Sequence, residues 1–148
     1  MSATAAQPDP AAATGITLNS DLIAIRHGLA RLFGMQPLCD LDDEGRGVAE
    51  IVLAEVLNNV VEHAYGELSG EIRVVLSRND SEILCQIRDQ GRPMPTGLPA
   101  PGQSKPLVAG EDLPEGGFGW FLIRTLAHDL SYARDGGDNV LSFRLDAL

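Results

Sequence analysis

Apolar positions along the first half of the chain change period twice. Ile16-Thr17-Leu18 alternates as a short strand does. Asn19-Ser20-Asp21 then offers N-cap side chains ahead of Leu22 to Phe33, where apolar residues recur at helical intervals. Gly34 and Pro37 end that helix. Asp40, Asp42 and Asp43 stand where a helix start favours acidic residues, and helical spacing runs from about Gly47 to Tyr65 before Gly66 stops it. Within this long helix Leu53, Leu57, Val60 and Ala64 share one face. Glu55, Asn59 and Glu62 share the opposite one, which Ile51 and Val52 interrupt.

Period two returns in Glu71 to Ser77 and Glu82 to Asp89. Between them Arg78-Asn79-Asp80-Ser81 is a set of turn formers, so the pair reads as a hairpin. From Arg92 to Phe118 periodicity disappears, and six of the nine prolines fall in this stretch, which suits a binding loop or lid better than a plain connection. Gly119 to Ala127 is helical in pattern. Leu130 to Ala133 and Val140 to Leu145 form a second hairpin across Asp135-Gly136-Gly137-Asp138. Helices are thus segregated from strands, which predicts an α+β fold: a two-layer α/β sandwich with a mixed, mostly antiparallel sheet covered by helices on one face.

Composition narrows the field. The chain has 148 residues, enough for one core, and we divide it into a disordered N-terminal tail over 1–15 and one domain over 16–148. The tail is Ala/Pro-rich and lacks the charged start and apolar segment of a signal peptide, and no stretch has the apolar length of a membrane helix, so the expected location is cytoplasmic. A formal charge of -10 argues against direct binding to nucleic acid or an anionic membrane. Cys39 and Cys85 lie outside any zinc-ligand spacing and read as reduced core thiols. His27, His63 and His128 are scattered singly, which excludes a histidine cluster for a metal.

Three local patterns carry chemistry. Glu55 and Asn59 place a carboxylate and an amide oxygen one turn apart, as magnesium-assisted phosphoryl transfer uses them, although a polar helical face ordinarily just meets water. Asp89-Gln90-Gly91 ends a strand with a hydrogen-bond acceptor and a glycine, and by itself is an ordinary turn. Glu115-Gly116-Gly117-Phe118-Gly119 precedes an apolar helix and could leave backbone N–H groups open to a phosphate, with Trp120, Phe121 and Ile123 as core residues behind it.

Taken in order, ExxxN on a helix, DxG at a strand end and a Pro/Gly-rich loop closing on GxG resemble the nucleotide site of the GHKL ATPases. Within that superfamily the segments Leu53 to Tyr65, Gly116 to Arg124 and Asp135 to Leu141 resemble the small anti-sigma-factor serine kinases of bacterial partner-switching systems. The resemblance covers about residue 16 to the C-terminus. It implies a Bergerat-type sandwich binding ATP and Mg2+, with Asn59 as magnesium ligand and Glu55 as general base. Asp89 would read the adenine amine, Gly91 would line the base pocket, and Gly117 and Gly119 would hinge the lid. It implies further that an anti-sigma-factor antagonist is phosphorylated on serine or threonine, that a sigma factor or equivalent regulator is sequestered, and that the chain is a homodimer. Two alternatives stand beside it: a nucleotide-binding capture protein without kinase activity, and a detached histidine-kinase catalytic domain. One departure is visible, since many GHKL proteins continue as DxGxG and this chain reads Arg92-Pro93-Met94-Pro95. Lys105 is the only lysine within the lid, and Arg92 and Arg124 flank it.

Overall fold

A computed structural model of the chain describes residues 13–94 and 117–147. Most of the expected tail, the lid from Pro95 to Gly116 and Lys105 lie outside these residues.

Among the described residues five strands form one sheet: β1 (Thr14–Asn19), β2 (Glu71–Arg78), β3 (Glu82–Asp89), β4 (His128–Asp135) and β5 (Asp138–Asp146). Their spatial order is β1-β2-β3-β5-β4, and every pairing is antiparallel. Alternation buries Ile72, Val74 and Leu76 of β2, and Ile83, Cys85 and Ile87 of β3, on the face shared with the helices. Several of the other sheet positions carry charge. Arg88 pairs with Asp138 at 3.0 Å and Asp135 at 3.3 Å, and Arg144 with Glu82 at 3.2 Å and Asp129 at 3.4 Å, tying β3, β4 and β5 together. Partly exposed pairs of this kind contribute at most about 1 kcal/mol each, so the apolar face holds the sheet.

Among the described residues three α-helices cover that face: α1 (Leu22–Phe33), α2 (Asp43–Asn59) and α3 (Gly117–Leu126). Helix α1 has the expected limits, with Asp21 as N-cap accepting from Ala24 N–H at 2.7 Å. Helix α2 begins ahead of the expected Gly47, because the Asp42 carboxylate caps Gly45 N–H at 2.8 Å and Asp43 and Glu44 favour the first turn. Two glycines had hidden that turn from a reading by apolar period. Val52 also differs from expectation, being wholly buried within the core stripe, while Ile51 faces outward.

After Asn59 the helix widens into a π-helical turn over Val60–Tyr65, closed by Gly66 N–H on the Val61 carbonyl at 2.9 Å. Apolar spacing alone does not distinguish this widening from continued α-helix. The last hairpin turns on Gly136 and Gly137, with φ of 57 and 96, in the left-handed region that two-residue hairpins require. Both its strands extend beyond their expected limits, since backbone pairing continues where side-chain alternation lapses. Strand β1 likewise starts at Thr14, inside the span assigned to the tail, because Thr14 and Gly15 pair with Leu76 and Val75. Cys39 is exposed rather than core: in the short 3-10 turn Leu38–Asp40 it is Leu38 that points inward. Burial pushes the Cys85 thiol pKa far up, leaving an inert core thiol.

Candidate functional site

Burial of Val52, Leu53, Val56 and Leu57 fixes the rotation of α2 and turns Glu55 and Asn59 away from the sheet. They do not simply meet water. Helix α3 begins against them, and a Cβ built on Gly119 would stand 2.6 Å from Glu55 Oε2 and 3.9 Å from Asn59 Nδ2. Gly119 is therefore a close-approach position: a side chain here would push the end of the Glu55 side chain away from the first turn of α3. Among the described residues α3 starts in this turn, so the junction sets the N-terminal part of a helix, which favours anions, beside a carboxylate and an amide.

Asn59 Nδ2 is buried and has no hydrogen-bond partner among the described residues. A buried amide left unpaired is costly, by about 1–3 kcal/mol, and such groups are usually held for a ligand or ordered water. Asn59 Nδ2 is a hydrogen-bond donor and suits an anionic group such as a phosphate; the amide oxygen of Asn59 and the carboxylate of Glu55 are the atoms of the kind a hard cation such as magnesium takes beside phosphate. Glu62 and His63, one turn further on, are exposed and lie beside each other at 3.9 Å, outside this junction.

The second centre lies at the end of β3. Asp89 is 5% exposed, and its Oδ1 accepts from Gly91 N–H at 2.9 Å and from Asn139 Nδ2 at 2.8 Å. Burial raises its pKa above the ordinary carboxylate range, opposed by those two hydrogen bonds and by Arg134. Around it Asn139 Oδ1 accepts from the Tyr132 hydroxyl at 2.6 Å and from Arg134 at 2.9 Å. Arg134 also donates to the Gly91 carbonyl at 3.1 Å, and the Tyr132 hydroxyl accepts from Met94 N–H at 3.0 Å. The backbone through Arg92, Pro93 and Met94 is therefore anchored at the position where this chain departs from DxGxG.

The π-helical turn connects the two centres. It carries the chain from Asn59 to Ala64, whose carbonyl accepts from Arg92 N–H at 2.6 Å. A Cβ on Gly91 would fall on that same carbonyl, so this glycine is required by the Ala64 backbone. Next to it the Tyr65 hydroxyl donates to the Glu71 carbonyl at 2.6 Å and accepts from Gln90 N–H at 2.9 Å. Burial raises the Tyr65 pKa, which keeps the hydroxyl protonated for this bridge. Asn59 and Asp89 thus belong to one connected frame of α2, the π turn and β3.

Of the residues singled out from sequence, Glu55, Asn59 and Gly119 meet at one junction, and Asp89 and Gly91 at the other. Gly117 is the first residue of α3 rather than part of a preceding loop, and Gly119 lies within the same turn. Sequence reasoning missed Asn139, Tyr132, Arg134 and Tyr65. The one available signal was Asn139 itself, a polar residue at the head of the apolar run Val140-Leu141, and its meaning depended on a register that one sequence does not reveal.

A five-stranded antiparallel sheet under helices, with a polar junction between two helices and a buried aspartate at a strand end, defines an ATPase-type sandwich. The chain belongs to the histidine kinase-like ATPase domain family, whose model matches residues 17–145. It is 33% identical over 97 residues to serine-protein kinase RsbW of Bacillus cereus strain AH820, an alignment covering 62% of this chain and 59% of that protein. The same figures hold for serine-protein kinase RsbW of Bacillus anthracis and of Bacillus thuringiensis strain Al Hakam. The chain thus matches under two thirds of the length of these curated relatives. Among the described residues no helix is long and apolar enough to cross a membrane.

Proposed function

We propose that this chain is a cytoplasmic serine/threonine-protein kinase of the anti-sigma type, binding ATP with Mg2+ and transferring phosphate to an anti-sigma-factor antagonist. The observation that carries the reading is the approach of Gly119 to Glu55 and Asn59, which sets a carboxylate, an unpaired buried amide and a helix N-terminus around one point. The serine-kinase relatives support the same chemistry.

In this reading Asn59 holds the magnesium ion, which when bound supplies charge neutralisation at the phosphates. Glu55 accepts the proton of the attacking serine or threonine hydroxyl as its oxygen bonds to the γ-phosphorus and the bond to the leaving ADP oxygen breaks. The first turn of α3, with Gly117 and Gly119, offers N–H donors to the transferred group. Asp89 accepts from the exocyclic amine of adenine, and Gly91 keeps the strand end close beneath the base pocket. Capture of a sigma factor or equivalent regulator, and action as a homodimer, complete the proposed partner switch.

The test is transfer from γ-labelled ATP with magnesium to a candidate antagonist. An acid-stable phosphoserine or phosphothreonine is expected, and Glu55→Gln should slow its formation by about a hundredfold, in the range of a lost general base. Acid-labile phosphate would point to a detached histidine-kinase domain. No transfer, or equal transfer by Glu55→Gln, would remove the catalytic assignment and leave capture alone.

A further inference from the structure

Asn139, the second residue of β5, lies directly opposite Asp89 in the strand register, and both side chains are buried. The partners fix which way its amide points. On the nitrogen side stand only acceptors: Asp89 Oδ1 at 2.8 Å, the Arg92 carbonyl at 2.9 Å and the Gly91 carbonyl at 3.3 Å. On the oxygen side stand only donors, the Tyr132 hydroxyl and the Arg134 guanidinium. A flipped amide would set its NH2 against Arg134 and its oxygen against a carboxylate. An NH2 has two hydrogens, so the bonds to Asp89 and Arg92 are the ones it fills. Asp89 Oδ1 is then doubly occupied, by Asn139 and by Gly91 N–H, whereas Oδ2 has no hydrogen bond from the described residues.

We propose that Asn139 is the specificity-determining partner of Asp89: by filling Oδ1 and locking the carboxylate, it leaves one oxygen for the base and so selects adenine over guanine. This rests on the reading of Asp89 as the base contact. Adenine presents a single exocyclic amine beside an N1 acceptor and needs only one carboxylate oxygen. Guanine presents adjacent donors, N1–H and the 2-amino group, which a carboxylate with both oxygens available grips in two parallel bonds. Occupation of Oδ1 denies guanine that grip. The amide also holds the Arg92 carbonyl, so the backbone beside the base cannot shift to restore it.

Calorimetric titration of Mg–ATP and Mg–GTP into the parent, Asn139→Ala, Asn139→Leu and Tyr132→Phe tests this. The parent should prefer ATP. Both Asn139 variants should lose ATP affinity by about tenfold, the scale of a charge-assisted hydrogen bond, while GTP binding holds or rises, so that the ATP-to-GTP ratio falls by at least that factor. Tyr132→Phe cuts the same network on its far side and should move both nucleotides together, leaving the ratio in place. Asn139→Leu matches the native side chain in size and covers the case in which Ala disturbs the hairpin. A folded Asn139 variant with the parental ratio overturns the proposal, as does an equal loss for both nucleotides or loss of the fold in both variants. A parent that binds neither nucleotide overturns instead the assignment of Asp89 to a base, and this proposal with it.

Discussion

Asp89 holds a carboxylate in a nearly closed site, with one oxygen filled by Asn139 and Gly91 and the other unpaired among the described residues. Its pKa is raised chiefly by burial, so the folded protein binds that proton more tightly than the unfolded chain. The resulting advantage to the fold is complete below the ordinary value of 3.8 and is lost as pH rises through the raised pKa. Asp89→Asn keeps an oxygen for Asn139 and Gly91 and carries no charge. Its unfolding temperature should therefore equal or exceed the parent's at neutral pH, and the difference in its favour should grow as pH rises from the acid side. ATP binding should move the other way, weakening by about 10–100-fold because an amide N–H then faces the adenine amine. A less stable Asp89→Asn protein at neutral pH would contradict the burial argument. The sequence made Asp89 visible only as a strand-end aspartate; its burial depends on Tyr132, Arg134 and Asn139, which arrive from a hairpin more than forty positions later.

Between elements, the decisive contact is the docking of α3 on α2 at Gly119. Gly119→Ala would place a methyl group 2.6 Å from Glu55 Oε2. The obstacle is the end of a flexible side chain, and Ala favours a helix over Gly by about 1 kcal/mol, so stability should change little. Phosphate transfer should fall by about a hundredfold, since displacing a reacting group by roughly an ångström has that effect. Measured together, an unchanged unfolding temperature and slowed transfer would mark positioning of Glu55; unchanged transfer would contradict it. The elements themselves were largely legible, because α1, β2 and β3 have strong periods and clear stops in the sequence. Less legible were the start of α2, masked by Gly45 and Gly47, and the π-helical turn, which keeps an α-like apolar pattern while bringing Ala64 and Tyr65 to the end of β3. That turn gives Gly91 a steric reason to be a glycine, the Ala64 carbonyl, which one sequence does not reveal.

For the whole molecule, a frame of α2, the π turn and β3 carries Asn59 and Asp89, and β5 and α3 complete the two centres around it. The sequence order of the motifs conveyed the family, because ExxxN, DxG and GxG occur in the succession that this topology brings together. It did not convey strand register, and hence the Asn139 network, because a register is a property of pairs of strands. With a formal charge of -10, the molecule is poorly suited to nucleic acid, and its proposed partners are proteins and a nucleotide. In the proposed function one ATP spans the frame, phosphates at Asn59 and adenine at Asp89. Calorimetric titration of Mg–ATP into the parent, Asn59→Ala and Asp89→Asn tests it most directly. Binding by the parent with at least about tenfold weakening in each variant is expected; parental affinity in both variants would place the nucleotide elsewhere on the molecule.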